Sequence, residues 1–283
     1  MSLPYRKTFR AALAKPACIS PASVYDPLSA RIAESVGCRI GILAGSVASF
    51  STLAAPDVIV MTLTEIADQV RRIMRASTLG LLIDADHGYG NALSAMRTVE
   101  ELEHAGAAAV SIEDTLLPQP FGAEKEQVVS LAEMEGKLRA AVAARRDPDF
   151  VIAGRTSSLR VEGLEGAVRR VKAYAATGVD AIFVVGVDSM EQVKALAASA
   201  RLPLILGPNK LDRAALAAEG VAILLQGHQP IAAAAKALHD TYAHLQAGGD
   251  PAALAGKIAG NAEMDRWVRT KEFAGYRDRY LKG

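Results

Sequence analysis

The chain has 283 residues, of which 51% are hydrophobic, and its 32 Lys and Arg against 31 Asp and Glu leave a formal charge of +1. That length suits one α/β barrel of about 250 residues with some excess, and the balanced charge, without a long run of one sign, disfavours a nucleic-acid or anionic-membrane surface. No apolar run reaches the roughly 20 residues that span a bilayer, and Cys18 and Cys38 form no CxxC pair, so the expectation is a soluble, cytoplasmic protein with reduced thiols.

The basic N-terminus, MSLPYRKTFRAAL, lacks the apolar stretch and cleavage site of a secretory signal. Strands are then predicted over residues 17–20, 39–44, 80–84, 108–113, 150–155, 181–185, 203–206 and 222–225. Most are continuous apolar runs, the pattern of a parallel sheet covered on both faces. Between them, residues 91–104 carry Leu93, Met96, Val99 and Leu102 at helical spacing behind a capping Asn91. Residues 163–177 and 189–199 read similarly. The runs AGAAAV, TGVDAIF and EGVAILL repeat one joint of helix, glycine stop and strand.

This order predicts an α/β fold, a (β/α)8 TIM-type barrel. The alternative is an open doubly wound sheet, but no GxGxxG follows the first strand and no switch point is evident. Past the eighth unit come residues 231–246, a Gly-Gly-Asp-Pro break, and a helical tail ending at Tyr280. No linker divides the chain, so residues 1–283 are read as one barrel domain with 247–283 a C-terminal helical extension. Such a tail packs on its own barrel or mediates contacts with a neighbouring subunit.

Chemistry in such a barrel sits at the C-terminal ends of strands. The predicted strands deliver Gly45-Ser46, Asp84-Ala85-Asp86-His87, Glu113-Asp114, Arg155-Thr156-Ser157, Gly207-Pro208-Asn209 and Gly227-His228 to that rim. Asp84 and Asp86 read either as a solvated loop with a capping aspartate or as a pair facing the barrel axis, since residues i and i+2 of an extended chain point the same way. With Glu113 the pair makes a hard, oxygen-rich cluster suited to Mg²⁺ held partly through water. The lack of a Cys/His ligand set argues against zinc. Arg155 either pairs with Glu113 or Asp114, or offers its fork to a substrate carboxylate. Ser46 is either a helix cap or, with the amides after it, part of a carboxylate cradle. His228 is either a structural residue or a substrate contact, and His87 either orients the carboxylates from a turn or acts itself. No Ser-His-Asp spacing or activated cysteine supports covalent catalysis.

These residues resemble the isocitrate lyase/phosphoenolpyruvate mutase superfamily over nearly the whole chain. The resemblance rests on Ser23-Val24-Tyr25-Asp26-Pro27-Leu28-Ser29-Ala30-Arg31, Gly45-Ser46, Asp84-Ala85-Asp86-His87-Gly88-Tyr89-Gly90, Ser111-Ile112-Glu113-Asp114 and Arg155-Thr156. It implies an α/β barrel, Mg²⁺ dependence, α-keto or α-hydroxy acid substrates, and a homotetramer whose C-terminal helices are exchanged between neighbours. It also implies that Asp57, Asp84, Asp86 and Glu113 occupy the acidic metal positions, with Asp84 the direct ligand. Ser46 and Arg155 match substrate-binding positions.

The loop after Glu113-Asp114 separates the subfamilies. The lyases of isocitrate and methylisocitrate carry Lys-Lys-Cys-Gly-His there, and the mutases a Lys and an Asn. This chain reads Thr115-Leu116-Leu117-Pro118-Gln119-Pro120-Phe121-Gly122. With Gly45-Ser46-Val47-Ala48-Ser49, Asp114-Thr115-Leu116-Leu117-Pro118 and Gly227-His228, it is similar to the oxaloacetate decarboxylase branch. It departs from that branch at Ser157-Ser158, where Asn-Ala is usual, and at Gly207-Pro208-Asn209-Lys210, where Tyr-Gly-Asn-Pro is favoured. The implied activity is Mg²⁺-dependent decarboxylation of oxaloacetate to pyruvate and CO2, leaving an enolate that Mg²⁺ would stabilise as electron sink. Arg155 and His228 would orient the substrate, and amides near Ser46 would meet oxyanion charge. The alternatives are C–C or P–C bond chemistry on 2-methylisocitrate or phosphonopyruvate, and a non-catalytic protein that binds metal and keto acid.

Overall fold

The computed structural model describes residues 3–15 and 17–282. Its eight strands among those residues form one parallel sheet in sequence order. They are β1 (Ala22–Ser23), β2 (Ile40–Leu43), β3 (Gly80–Asp84), β4 (Ala109–Glu113), β5 (Val151–Thr156), β6 (Ala181–Val184), β7 (Leu204–Leu206) and β8 (Val221–Leu224). The first helices are α1 (Pro4–Ala14), α2 (Pro27–Ser35), α3 (Gly45–Leu53), α4 (Leu63–Ala76), α5 (Ala92–Ala105) and α6 (Leu131–Ala144). Then come α7 (Ser158–Val161), α8 (Gly163–Ala175), α9 (Met190–Ala200), α10 (Arg213–Ala218), α11 (Gln229–Gln246), α12 (Asn261–Trp267) and α13 (Thr270–Tyr280).

Strands β2 to β8 lie within one residue, at either end, of the runs that hydrophobicity predicts. The first strand does not. The run 17–20 is split by Cys18, whose φ is 47°, and ended by Pro21, which has no N–H to give a ladder. The sheet strand proper is Ala22–Ser23, paired with β2. Residues 18–20 pair instead with β8: Ile19 N donates to Ala222 O at 2.9 Å and Leu224 N to Ile19 O at 2.9 Å. The two edges of the curled sheet thus meet through one short segment, consistent with a TIM-type barrel.

Alternation along each strand builds two cores. Ile42, Leu82, Val151, Ala153, Phe183, Ile205 and Ile223 pack together inside the sheet with Phe9 and Leu13 of α1. Leu81, Ile83, Val110, Ile152, Ile182 and Leu204 face outward against Ile66, Val99, Leu138, Val171 and Leu196 of the surrounding helices. Each fully buried aliphatic side chain contributes about 1.5–3 kcal/mol relative to its exposed state. In α5, Leu93 is 73% exposed, and Ala95 takes the inward position expected of it. Asn91 caps α5 as predicted, accepting from Leu93 N and Ser94 N.

Helix α1 crosses the N-terminal ends of the strands. Arg6 donates to Ala107 O at 3.0 Å, Glu103 O at 2.6 Å and Asp147 at 2.7 Å. Gly80 makes this approach possible, since a Cβ there would lie 3.0 Å from Tyr5 O and 3.1 Å from Phe9 Cβ. At the other end of the chain, α11 has no buried residue and exposes Leu238, Tyr242 and Leu245. Helix α13 exposes Phe273, Tyr276 and Tyr280. Trp267 of α12 reaches back to α2, its Nε1 donating to Ser35 Oγ at 3.2 Å. No helix among the described residues is long and apolar enough to cross a membrane.

Candidate active site

The inward columns of the inner core change chemistry at the C-terminal ends of three neighbouring strands. Leu82 is followed two residues later by Asp84, Ser111 by Glu113, and Ala153 by Arg155. Strand register sets Glu113 beside Arg155, and Arg155 beside Phe183. Arg155 Nη1 therefore donates to Asp84 Oδ2 at 2.5 Å, and its Nε lies 3.0 Å from Glu113 Oε2. The guanidinium carbon also sits 5.1 Å from the centre of the Phe183 ring, a cation–π contact.

Of the two ion-pair partners expected for Arg155, only Glu113 is one; the other is Asp84. Asp114 faces the opposite way and is fully buried. It accepts from Thr156 Oγ1 at 2.6 Å, Tyr174 Oη at 2.7 Å and Ser157 N at 3.1 Å. Arg170 Nη1 stands 3.5 Å from it. That network ties the end of β4 to the end of β5, the two strands that carry Glu113 and Arg155.

Asp86 arrives by a different route from the extended geometry expected of it. The strand ends at Asp84, Gly88 N donates to Ala85 O at 2.8 Å, and Asp86 itself has φ of 46°. Aspartate tolerates this left-handed turn better than most residues. The turn is held by Glu113 N donating to Asp86 O at 2.8 Å. Its carboxylate then rests against Gly45, where an added Cβ would lie 2.5 Å from Asp86 Oδ1. Any side chain at position 45 would push that carboxylate aside.

Asp57, Asp84, Asp86, Glu113 and Arg155 line one cavity of about 530 Å³. Burial raises Asp86 well above the usual carboxylate range, and Asp84, Glu113 and Asp57 add to the rise. Burial also pushes Glu113 up to about 7, although Arg155 pulls it down. Asp57 is raised by burial and by Asp84. Arg155 is shifted up in spite of its burial, because Asp84 and Glu113 hold its charge. The cavity thus gathers more carboxyl groups than its inner guanidinium can hold ionised.

The chemistry of these donors, though not their spacing, suits a hard divalent cation. They are all oxygen, they repel one another, and Asp84 Oδ1 is buried without a hydrogen-bond partner. Among the described residues no three His, Cys, Asp or Glu side chains converge on a single point that could hold a metal, and Arg155 stands between Asp84 and Glu113, hydrogen-bonded to the first and ion-paired with the second.

The remaining sequence candidates lie apart from the cavity lining. Ser46 is not a cap: Ala44 holds that position and Ser46 is inside the first turn of α3. His228 Nδ1 lies 3.0 Å from Ser23 Oγ. Burial lowers its pKa, opposed by Asp84 and Asp57 across the barrel mouth. His87 is buried, and its Nδ1 has no hydrogen-bond partner. Burial, then Lys137 of α6, lowers its pKa to about 4, so it is neutral.

Residues 115–129 fold over the cavity. Leu116 N donates to Gln127 O and Val129 N to Asp114 O, both at 2.8 Å. Thr115, Leu116, Leu117, Gln119, Lys125 and Gln127 complete that wall. Arg160 of α7 lines the cavity as well. Sequence reasoning missed it, because a charged residue on a four-residue helix carries no periodic signal.

A family model described as phosphoenolpyruvate phosphomutase matches residues 9–246. A curated relative named oxaloacetate decarboxylase, from Bradyrhizobium diazoefficiens, is 52% identical over 254 residues, covering 89% of this chain and 88% of that one. Among solved structures, the phosphoenolpyruvate phosphomutase of Streptomyces platensis subsp. rosaceus is 29% identical with a TM-score of 0.88, covering 98% of this chain and 99% of that one. Phosphonopyruvate hydrolase in complex with oxalate and Mg²⁺ is also 29% identical, with a TM-score of 0.85 over 98% of this chain and 99% of that one.

Proposed function

This chain belongs to the phosphoenolpyruvate phosphomutase family, and on that premise we propose that it is a carboxy-lyase that converts oxaloacetate to pyruvate and CO2 at a Mg²⁺ site. The observation that carries the reading is the pairing of an acidic cluster, with its unpartnered Asp84 oxygen, and a covering loop whose cavity-lining residues include neither cysteine nor histidine. The identity to a relative named oxaloacetate decarboxylase supports it.

Asp84 would hold the ion, with Asp86 and Glu113 holding its waters and Asp57 closing the acidic wall. Bound there, Mg²⁺ supplies Lewis acidity at the keto oxygen, an electron sink for the pair released when the C3–C4 bond breaks. Arg155 orients the keto-acid end through its planar fork, while its ion pairs with Asp84 and Glu113 fix the fork in place. The first turn of α3, at Ser46, offers amide N–H groups to oxyanion charge. His228, neutral and tied to Ser23, orients the substrate from the barrel mouth. Loss of CO2 leaves carbon 3 to take a proton from water, so no side-chain nucleophile is required. The loop that closes over the cavity limits water around the reacting carbon.

The test is a parallel assay of purified protein with Mg²⁺ on oxaloacetate, 2-methylisocitrate and phosphonopyruvate. Turnover of oxaloacetate well above the rate with free Mg²⁺ is expected. No excess over free Mg²⁺ would overturn the reading. Turnover of either other acid would place the chain beside the lyases or the hydrolase, and oxalate binding without any turnover would make it a binding protein.

The same reading makes residues 1–283 one domain with 247–283 as an extension, in a cytoplasmic homotetramer that exchanges its C-terminal helices. The exposed Tyr242, Phe273, Tyr276 and Tyr280 support an oligomer, since apolar surface of this kind marks interaction sites. The free Cys18 and Cys38 suit a reducing compartment. Light scattering should give four times the chain mass of 29.7 kDa; a monomer mass would refute the assembly.

A further inference from the structure

One charge in the cavity has no part in the reaction just described. Arg160 lines the cavity from α7, yet among the described residues its side chain makes no hydrogen bond or ion pair. Its neighbours are committed: Arg155 to Asp84 and Glu113, Arg170 to Glu162 and Asp114, Arg169 to Glu162. Lys125, a further cavity-lining cation, also makes no ion pair among the described residues but lies between Glu124 and Glu126 on the covering loop.

Arg160 is exposed, but its stem is seated against the barrel wall. Gly186, two residues past β6, has φ of 82°, and a Cβ there would lie 2.9 Å from Arg160 Nε and 3.0 Å from its Cγ. The missing side chain leaves a channel in which the arginine lies along the wall beside Val185. Both ends of that wall are anchored, one by β5 through Ser157, whose O accepts from Arg160 N at 3.0 Å, and the other by β6.

We propose that Arg160 recognises the distal carboxylate of a dicarboxylic α-keto or α-hydroxy acid, so that the cavity selects diacids over monoacids; this rests on the keto-acid reading of the inner end. A second carboxylate brought toward Asp57, Asp84, Asp86 and Glu113 meets repulsion unless a cation faces it. An unpaired guanidinium supplies that cation and can bind both oxygens at once. In a decarboxylation the contact is made in the ground state and fades as the carboxylate becomes neutral CO2. It therefore serves affinity and not the rate of the chemical step.

The experiment compares the full-length protein with Arg160→Gln and Arg160→Lys. In steady-state assays Arg160→Gln raises the KM for oxaloacetate about tenfold, the loss expected for one charged hydrogen-bonded contact, with kcat equal or higher. Oxalate ends at the inner site, so its inhibition constant should move by less than about twofold. A second arm needs no turnover: calorimetry with Mg²⁺, malate and 2-hydroxybutyrate, four-carbon acids that differ only in the distal carboxylate. The preference for malate falls about tenfold in Arg160→Gln and to an intermediate value in Arg160→Lys, which keeps the charge without the fork. An unchanged preference, no preference in the parent protein, or a parallel loss of oxalate affinity would each overturn the assignment. Because this arm reads binding, it stands whether or not oxaloacetate proves to be the substrate.

Discussion

Replacing Arg155 with alanine should lower oxaloacetate turnover by about 10²–10³, the loss typical of one preorganised charged donor, and should also destabilise the fold. The side chains of Arg155, Asp84 and Glu113 are 18%, 13% and 7% exposed, so removing the cation leaves buried carboxylates without a counter-charge, at about 3–5 kcal/mol. The penalty depends on pH with a definite sign. Glu113 already sits at about 7 against an ordinary 4.5, and Arg155 is what pulls it down. Without the arginine it rises further. Between the unfolded and folded values the unfolded chain has lost the proton that the native state keeps, so stability falls as pH rises through that window. Urea denaturation of parent and variant at pH 5 and pH 8 should show the larger loss at pH 8. An equal loss at both would mean that Arg155 acts through packing on Phe183 and not through charge.

Asp84→Asn should behave in the opposite manner. The amide keeps the shape and can still accept from Arg155, while one charge leaves a crowded site where Asp84 raises both Asp86 and Glu113. The variant without metal should therefore unfold at the same temperature as the parent or above it. Activity should fall by at least about 10³, since a lost metal contact removes several kcal/mol of Lewis-acid stabilisation. Thermal unfolding with Mg²⁺ and oxalate separates the two effects. The parent should gain about 2.7 kcal/mol with ligand at a hundred times its dissociation constant, and the variant nothing. An undiminished gain in Asp84→Asn would remove Asp84 from the metal site.

The parts of this structure that the sequence made legible are those that a single strand dictates. A parallel strand buried on both faces must be largely apolar, so β2 to β8 announce themselves, and the first charged residue on an inward column marks the rim. Asp84, Glu113 and Arg155 are found in that way. What stayed hidden depends on pairs of segments. That Arg155 pairs with Glu113 and not Asp114, and with Asp84 besides, is decided by strand register and by Tyr174 of α8 claiming Asp114. The left-handed Asp86 was hidden because its turn is fixed by Glu113 on another strand. Ser46 looked like a cap because serine favours that position, but the chain entered the helix two residues earlier, where Gly45 makes room for Asp86.

The joint between residues 18–20 and β8 has a consequence for biosynthesis. Ser20 and its partner Leu224 are 204 residues apart. On a ribosome adding about 5–20 residues per second, the segment that completes the ring waits about 10–40 s for the strand it pairs with. Throughout that interval the growing sheet presents an open edge, the kind of surface on which nascent chains pair with one another. The hazard of misassembly for this fold is therefore concentrated in translation, and it ends when the last strand emerges.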